Sequence, residues 1–455
     1  MKNKFYTLVV VLVLLSLAAT AQEITKSDTI RVNQYGQEVS FLSLNGESQD
    51  GILKFTSADK SYSIWFDNRV QVDGAFFSND VYNPIGNGTI IRRARFAAKA
   101  ILWTNWYGEI DLDFSGSAVE LKDAYLKYSF DSENLNIKAG NFRESFGLET
   151  NTTSRYITFI ERALSSKLDP SRHLGIQVNH WAKAYVLSGG VHFNIVSDFE
   201  EVTYTQDANK DYGIDEGYSF TGRAVFRPII DKEKVLHLGV AGSYRTPKTN
   251  MEVPGSYRFS NRSFSSINRK KYIDTDDILD VDNTTMLGFE LAGRYKGFMF
   301  QSEYKTVDVN RKNNLTSMNI NGYYIQAAYL LFGGNHNYNS ADGEFTRITR
   351  GKKYGDLELA LKYDFVDAND KDADIYGGSA EAFLIGLNYY FNPNVKFMAN
   401  YVYNNNDRYA NGKGKLFVGH DIDGNLTKDP ADVVETKGNA GDDFGMLAFR
   451  FEIDF

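Results

Sequence analysis

Residues 444–455 read FGMLAFRFEIDF. Leu447, Phe449, Phe451, Ile453 and Phe455 fall at every second position, and Arg450, Glu452 and Asp454 lie between them. One apolar and one charged face with a period of two define a half-buried β-strand. A strand whose apolar face ends on an aromatic residue is what the edge of a membrane barrel requires. Lipid accepts only closed sheets, with apolar side chains outward and aromatics at both interfaces.

The same alternation recurs along the chain. LELALKYDF sets Leu357, Leu359, Leu361, Tyr363 and Phe365 on one face, and YGEIDLDF opposes Ile110, Leu112 and Phe114 to Glu109, Asp111 and Asp113. Sixteen such strands are expected, at 62–76, 90–102, 106–115, 119–130, 134–141, 173–180, 183–197, 216–227, 234–246, 283–296, 297–310, 320–332, 353–366, 380–391, 393–407 and 443–455. Short turns such as 103–105, 131–133, 296–297 and 392–393 alternate with long loops, among them 142–172, 247–282 and 408–442. That asymmetry belongs to outer-membrane barrels, with short turns in the periplasm and long loops outside. The connection 333–352 breaks the rule, being long where a short turn is due.

Composition agrees. Of 455 residues 42% are hydrophobic and 14% aromatic, with 29 Tyr and 32 Phe. Cys is absent, which excludes disulfides, thiolate metal sites and a cysteine nucleophile. Lys2 and Lys4 precede an apolar run and the small-residue box Ala19-Thr20-Ala21, so residues 1–21 read as a secretory signal, 22–60 as a periplasmic N-terminal segment and 61–455 as the barrel. Losing Lys2 and Lys4 takes the formal net charge from −8 to −10.

The segment NFRESFGLETNTTSRYITFIERAL, residues 141–164, resembles the phosphate-selective porin O and P family. IRRARFAAK (91–99), ELKDAYLKY (120–128), VLHLGVAGSYR (235–245), GYYIQAAYLL (322–331) and GLNYYFNPNVKFMANYVY (386–403) support it in the right order. The resemblance implies an all-β, sixteen-stranded antiparallel transmembrane barrel, trimeric, with 142–172 as an inward-folded constriction loop. It also implies residence in the outer membrane of a Gram-negative bacterium. The partners expected are the lipid bilayer and lipopolysaccharide, the barrel assembly machinery, and small anionic solutes, with no nucleic acid and no cofactor or metal.

Anion pores use Arg and Lys rings with neutral donors, and the Arg fork suits phosphate. Arg69, Arg93, Arg95 and Lys99 lie on the polar faces of the first two strands. Arg143, Arg155 and Arg162 lie in or beside the constriction loop, with Thr150, Thr152, Thr153 and Ser154. The alternative is that these arginines pair with Glu144, Glu149 and Glu161 and only brace the loop. A second basic stretch, Arg258, Arg262, Arg269, Lys270 and Lys271, falls in a long external loop and resembles the family's arginine-rich mouth. It suits electrostatic steering, or is neutralised by the acids at 274–282. Four positions where the family carries lysines read Thr150, Thr104, Tyr107 and Trp65, which argues against tight phosphate selectivity and for a broader anion or solute pore.

DIDGNLTKDPAD (421–432) has Leu426 where a calcium loop needs glycine and reads as a solvated loop. No nucleophile motif, P-loop or paired histidine spacing appears. The competing readings are a barrel enzyme of lipase or protease type and a structural barrel with a plugged lumen.

Overall fold

A computed structural model describes residues 32–39, 43–49, 51–78, 82–116, 118–130, 133–196, 207, 210–213, 215–247, 253–436 and 438–455. The predicted leader at 1–21 lies outside these residues.

Sixteen strands form the wall. They are β1 (Ser63–Phe77), β2 (Gly88–Leu102), β3 (Trp106–Asp113), β4 (Glu120–Phe130), β5 (Leu135–Arg143), β6 (Arg172–Trp181), β7 (Tyr185–His192), β8 (Ser219–Ile230), β9 (Lys234–Arg245), β10 (Val281–Tyr295), β11 (Phe298–Arg311), β12 (Met318–Leu330), β13 (Asp356–Asp370), β14 (Ile375–Tyr390), β15 (Val395–Asn406) and β16 (Phe444–Asp454). Each pairs antiparallel with its sequence neighbour, and β16 pairs antiparallel with β1 from Met446↔Phe77 to Asp454↔Arg69. The sheet therefore closes, and no strand edge faces lipid. All sixteen expected strands are present. Several reach further at the loop end than the alternation suggested, as β13 does to Asp370, because polar residues go on pairing above the apolar band.

The alternation of 444–455 divides as expected. Leu447, Phe451 and Phe455 are exposed on the outside, while Arg450, Glu452 and Asp454 are buried on the inside. Arg450 lies directly across from Asp73 on β1 and grips it with two bonds of 2.7 and 2.8 Å. At the turn end Trp103, Trp106, Tyr295, Phe298, Tyr329 and Phe391 stand exposed, as an interfacial aromatic girdle does. Short strand Ile52–Ser57 pairs with Ser63–Trp65, covering the stretch of β1 below the end of β16.

Two insertions occupy the interior. Loop 144–171, between β5 and β6, enters from the loop end. The anomalous connection 333–352 forms a hairpin, Asn335–Asn339 with Glu344–Thr349, which enters from the turn end. The apolar core lies inside the barrel: Phe146, Leu148, Phe159 and Leu164 of the loop cluster with Ala360, Leu384 and Met398 on β13–β15. Phe259, Phe264 and Tyr272 of the long loop between β9 and β10 join it near the mouth.

Candidate functional site

Loop 144–171 folds inward because its apolar residues have a wall to cover and its backbone finds wall partners. Gly147 turns the chain at φ 70, where a Cβ would come within 2.4 Å of an Asp169 carboxylate oxygen. A single-turn helix, α1 (Leu148–Asn151), follows. The N–H groups of Leu148 and Glu149 donate to Glu303 on β11 at 3.0 and 2.7 Å. Further on, Ile160 N–H donates to Asn400 on β15 and Leu164 N–H to Asp364 on β13, both at 2.8 Å.

The loop's acids bond mainly to the wall, not to the loop's own arginines. Glu144 receives two bonds from Arg245 of β9 at 2.8 and 2.9 Å. Glu149 accepts from Lys362 of β13 at 2.8 Å, and Glu161 is held by Arg92 of β2 at 2.5 and 3.1 Å. Asp169 binds Lys305 of β11 at 2.5 Å. Burial alone would push the carboxyls of Glu149 and Glu161 up, but Lys362 and Arg92 respectively hold both below the usual range.

This pairing leaves arginines for the other side of the loop. A cavity of about 490 Å³ lies between it and the inner faces of β1–β6. Its lining carries nine cations and six carboxyl groups, a formal net of three positive charges with every group ionised. Four of the cations are balanced locally: Arg95 by Asp111 and Asp113, Lys99 by Asp67 and Glu109, Arg155 by Asp67 and Asp454, and Arg172 by Asp123. Among the described residues, Arg69, Arg93, Arg143, Arg162 and Lys138 have no carboxylate within 4.0 Å. Arg69 donates to the Ser154 hydroxyl, and Arg93 to the Gln71 amide at 2.6 Å. Arg162 donates to the carbonyls of Glu149 and Thr152 at 2.9 and 2.6 Å, where α1 ends and its carbonyls lack helical partners. Its charge braces the loop without being cancelled by an acid.

Arg69, Arg93, Arg95, Arg143, Arg155, Arg162, Thr153 and Ser154 thus meet at one cavity, with Lys99 and Thr152. Thr150 does not line it. Its side chain is buried, 3% exposed, beside Asp169 on the wall-facing side of the loop. Thr104, Tyr107 and Trp65 lie at the turn end, and Trp65 shares a small cavity there with Tyr156 of the loop. In the basic mouth stretch, Arg258 is neutralised by Asp274 at 2.8 and 2.6 Å and Lys270 donates to the Pro84 carbonyl, while Arg269 and Lys271 are exposed. Arg262 is half-buried within the field of Arg269 and Arg92. In the suspected calcium loop Asp421 accepts from its own turn, from Asp423 and Asn425 N–H.

Sequence reasoning missed the hairpin's part in the site. Arg223 of β8 donates to the carbonyls of Asp342 and Gly343 at 3.1 and 3.0 Å while bound to Glu290, and Arg227 donates to Ser340 O at 2.5 Å. His237 bonds the Tyr338 hydroxyl at 2.7 Å. Thus held, the hairpin presents Asp342 and Glu344 to the cavity. The one signal available was the unexpected length of 333–352.

A match to the family described as phosphate-selective porin O and P spans residues 66–424, most of the barrel. The chain belongs to the phosphate-selective porin O and P family. Porin O of Pseudomonas aeruginosa is 26% identical over 399 residues, covering 80% of this chain and 88% of that protein. An uncharacterised protein of Caulobacter vibrioides is likewise 26% identical over 363 residues, 77% of this chain and 70% of its own. Among solved structures, OmpT of Vibrio cholerae aligns with a TM-score of 0.51 at 10% identity over 87% of this chain and 98% of OmpT. The anion-selective porin from Comamonas acidovorans aligns at 0.50 and 11%, over 87% of this chain and 100% of that one. At such identities these likenesses concern the fold alone. Family and barrel together make this chain a non-enzymatic porin of the Gram-negative outer membrane.

Proposed function

We propose that this porin is an anion-preferring diffusion channel in which loop 144–171 and the facing arginines form the selective constriction. One observation carries the reading: the loop's carboxylates are held mainly by wall cations, so Arg69, Arg93, Arg143 and Arg162 face the cavity without acid partners. A net charge of −10 does not oppose this. Current is controlled at the narrowest point, where few waters screen the fixed charge. Phosphate is expected to pass as one anion among several. Thr150 is buried behind the loop, so no cation replaces the family lysine at that point, and tight phosphate retention lacks a ligand. The mature chain begins at Gln22, works as a homotrimer in a bilayer with lipopolysaccharide outside, and is inserted by the barrel assembly machinery through its last strand.

The test is a planar-bilayer recording in a potassium chloride gradient. The expected reversal potential favours chloride, and Arg143→Glu moves it towards potassium. A wild-type channel that prefers potassium overturns the reading. A plugged structural barrel draws on the packing of Phe259, Phe264 and Tyr272 near the mouth; it predicts no conductance in the same recording.

A further inference from the structure

We propose that the turn-end half of the passage binds organic anions that carry a flat ring, the ring lying on an aromatic file of the inner wall and the anionic group on lysines beside it. The inference rests on the anion-preferring reading and gives that channel a substrate class.

The file draws its rings from four of the first five strands. Trp65 of β1, Tyr107 of β3, Tyr125 of β4 and Phe142 of β5 follow one another with ring centroids 5.9, 5.8 and 6.0 Å apart. All four share the lumen-facing phase of their strands, in step with Asp67, Glu109, Asp123 and Lys138. Trp65 and Tyr107 stand near the turns, and Phe142 stands where the inward loop leaves β5, so the file runs from the cavity towards the turn end. Each ring has an ammonium near its face: Lys54 is 5.6 Å from Trp65, Lys127 is 4.7 Å from Tyr107, and Lys138 is 5.2 Å from Tyr125 and 4.1 Å from Phe142. Among the described residues none of these three lysines has a carboxylate partner. The hydroxyls of Tyr107 and Tyr125 both donate to Glu109, at 2.6 and 2.8 Å, which fixes these rings by their edges.

The file meets the inward loop at a smaller cavity of about 320 Å³. Its lining has two rings, Trp65 and Tyr156, and two cations: Lys54, which has no carboxylate partner among the described residues, and Arg347, which bonds Asp454 at 2.7 Å. Tyr156 also lines the large cavity and a third space at the turn end, so the passage runs beside it. An inorganic anion can use only the cations here. A ring-bearing anion can also stack on an aromatic face, and its charge satisfies the ammonium already drawn to that face.

Two permanently ionised probes with the same head group separate these cases. In planar bilayers holding the full-length porin, benzenesulfonate is expected to block chloride current at a concentration roughly five- to tenfold lower than methanesulfonate, the ratio one good ring contact supplies. Trp65→Ala and Tyr156→Ala should each cut that ratio to twofold or less, whereas Trp65→Phe, which keeps a ring, should retain it. Heat-modifiable migration shows that each variant is folded, and the ratio of the two sulfonates, taken within one variant, does not depend on its chloride conductance. Equal block by the two sulfonates in the wild type, or a ratio that survives both alanine variants, overturns the proposal while leaving anion preference intact. A potassium-preferring channel overturns the parent reading, and this one with it.

Discussion

Loop 144–171 and hairpin 335–349 both enter the lumen, from opposite ends, and they are anchored by opposite chemistry. The loop anchors through its acids and its N–H groups: Glu144, Glu149, Glu161 and Asp169 take wall cations, and Glu303, Asp364 and Asn400 take loop amides. What it turns to the cavity is basic. The hairpin anchors through carbonyls held by Arg223 and Arg227 and through its own Arg347, which bonds Asp454 of β16 at 2.7 Å, and what it turns to the large cavity is acidic, Asp342 and Glu344. The charge an insertion presents is thus the complement of the charge it uses to hold on. The cavity's net charge is the balance of the two insertions and the wall, which the total charge of the chain does not reveal.

The strongest way to break this comparison is to take one anchor away. Glu149 accepts from Lys362, from Ala163 N–H and from the Ser166 hydroxyl, and both ends of the pair are nearly fully buried. Glu149→Ala strands the Lys362 ammonium, a loss of about 3–5 kcal/mol for a buried pair. The loop should come away from β13, raising single-channel conductance severalfold with strong current noise. Replacing residues 335–349 by a short turn removes the acidic insertion instead. Conductance should rise while chloride preference increases, because the arginines of the large cavity remain and Asp342 and Glu344 are gone, while the one cation lost, Arg347, was already paired with Asp454. If excising the hairpin made the channel less anion-selective, the division of charge between the insertions would be refuted.

A smaller effect sharpens the comparison without removing anything. The carboxyl of Glu344 is pushed up to about 8 by its depth in the barrel and by neighbouring Asp342, although part of its surface stays open to the cavity, where water works against the shift. A raised carboxyl is neutral below its pKa and charged above it. Chloride preference should therefore be greater at pH 6 than at pH 9, falling as Glu344 ionises. Glu344→Gln should hold the acid-side value across the range. A pH dependence left unchanged in that variant would assign the titration to another group.

The barrel was legible in the sequence because lipid enforces a period of two on every strand, and FGMLAFRFEIDF shows it in one line. The inward loop was expected only through the resemblance of segment 141–164; that Phe146, Leu148 and Phe159 pack against the wall emerged with the structure. Which arginines face the cavity was not legible, because pairing is settled across the lumen. Arg92 and Arg245, far from the loop in sequence, take the acids that Arg143 and Arg162 could have taken. Nor could spacing tell that Thr150 turns to the wall while Thr153, three residues on, lines the cavity.

The mouth loop offers the mildest test. Of its five cations Arg258 is spent on Asp274 and Lys270 bonds a carbonyl, so the exposed Arg269 and Lys271 are left to act at a distance. Charges at a wide mouth raise the local anion concentration but do not bind the anion as it crosses. Their reach is about 10 Å at 0.1 M salt and about 3 Å at 1 M. Arg269→Glu with Lys271→Glu should therefore lower chloride conductance at 0.1 M, by less than half, and leave it nearly unchanged at 1 M. The reversal potential, fixed deeper in the pore, should move little at either salt. Arg258→Gln should do less still at 0.1 M, since it removes a charge already cancelled and frees Asp274. If the double variant instead shifted the reversal potential as far as Arg143→Glu does, selection would take place at the mouth, and the opposed charges of the two insertions would matter for packing alone.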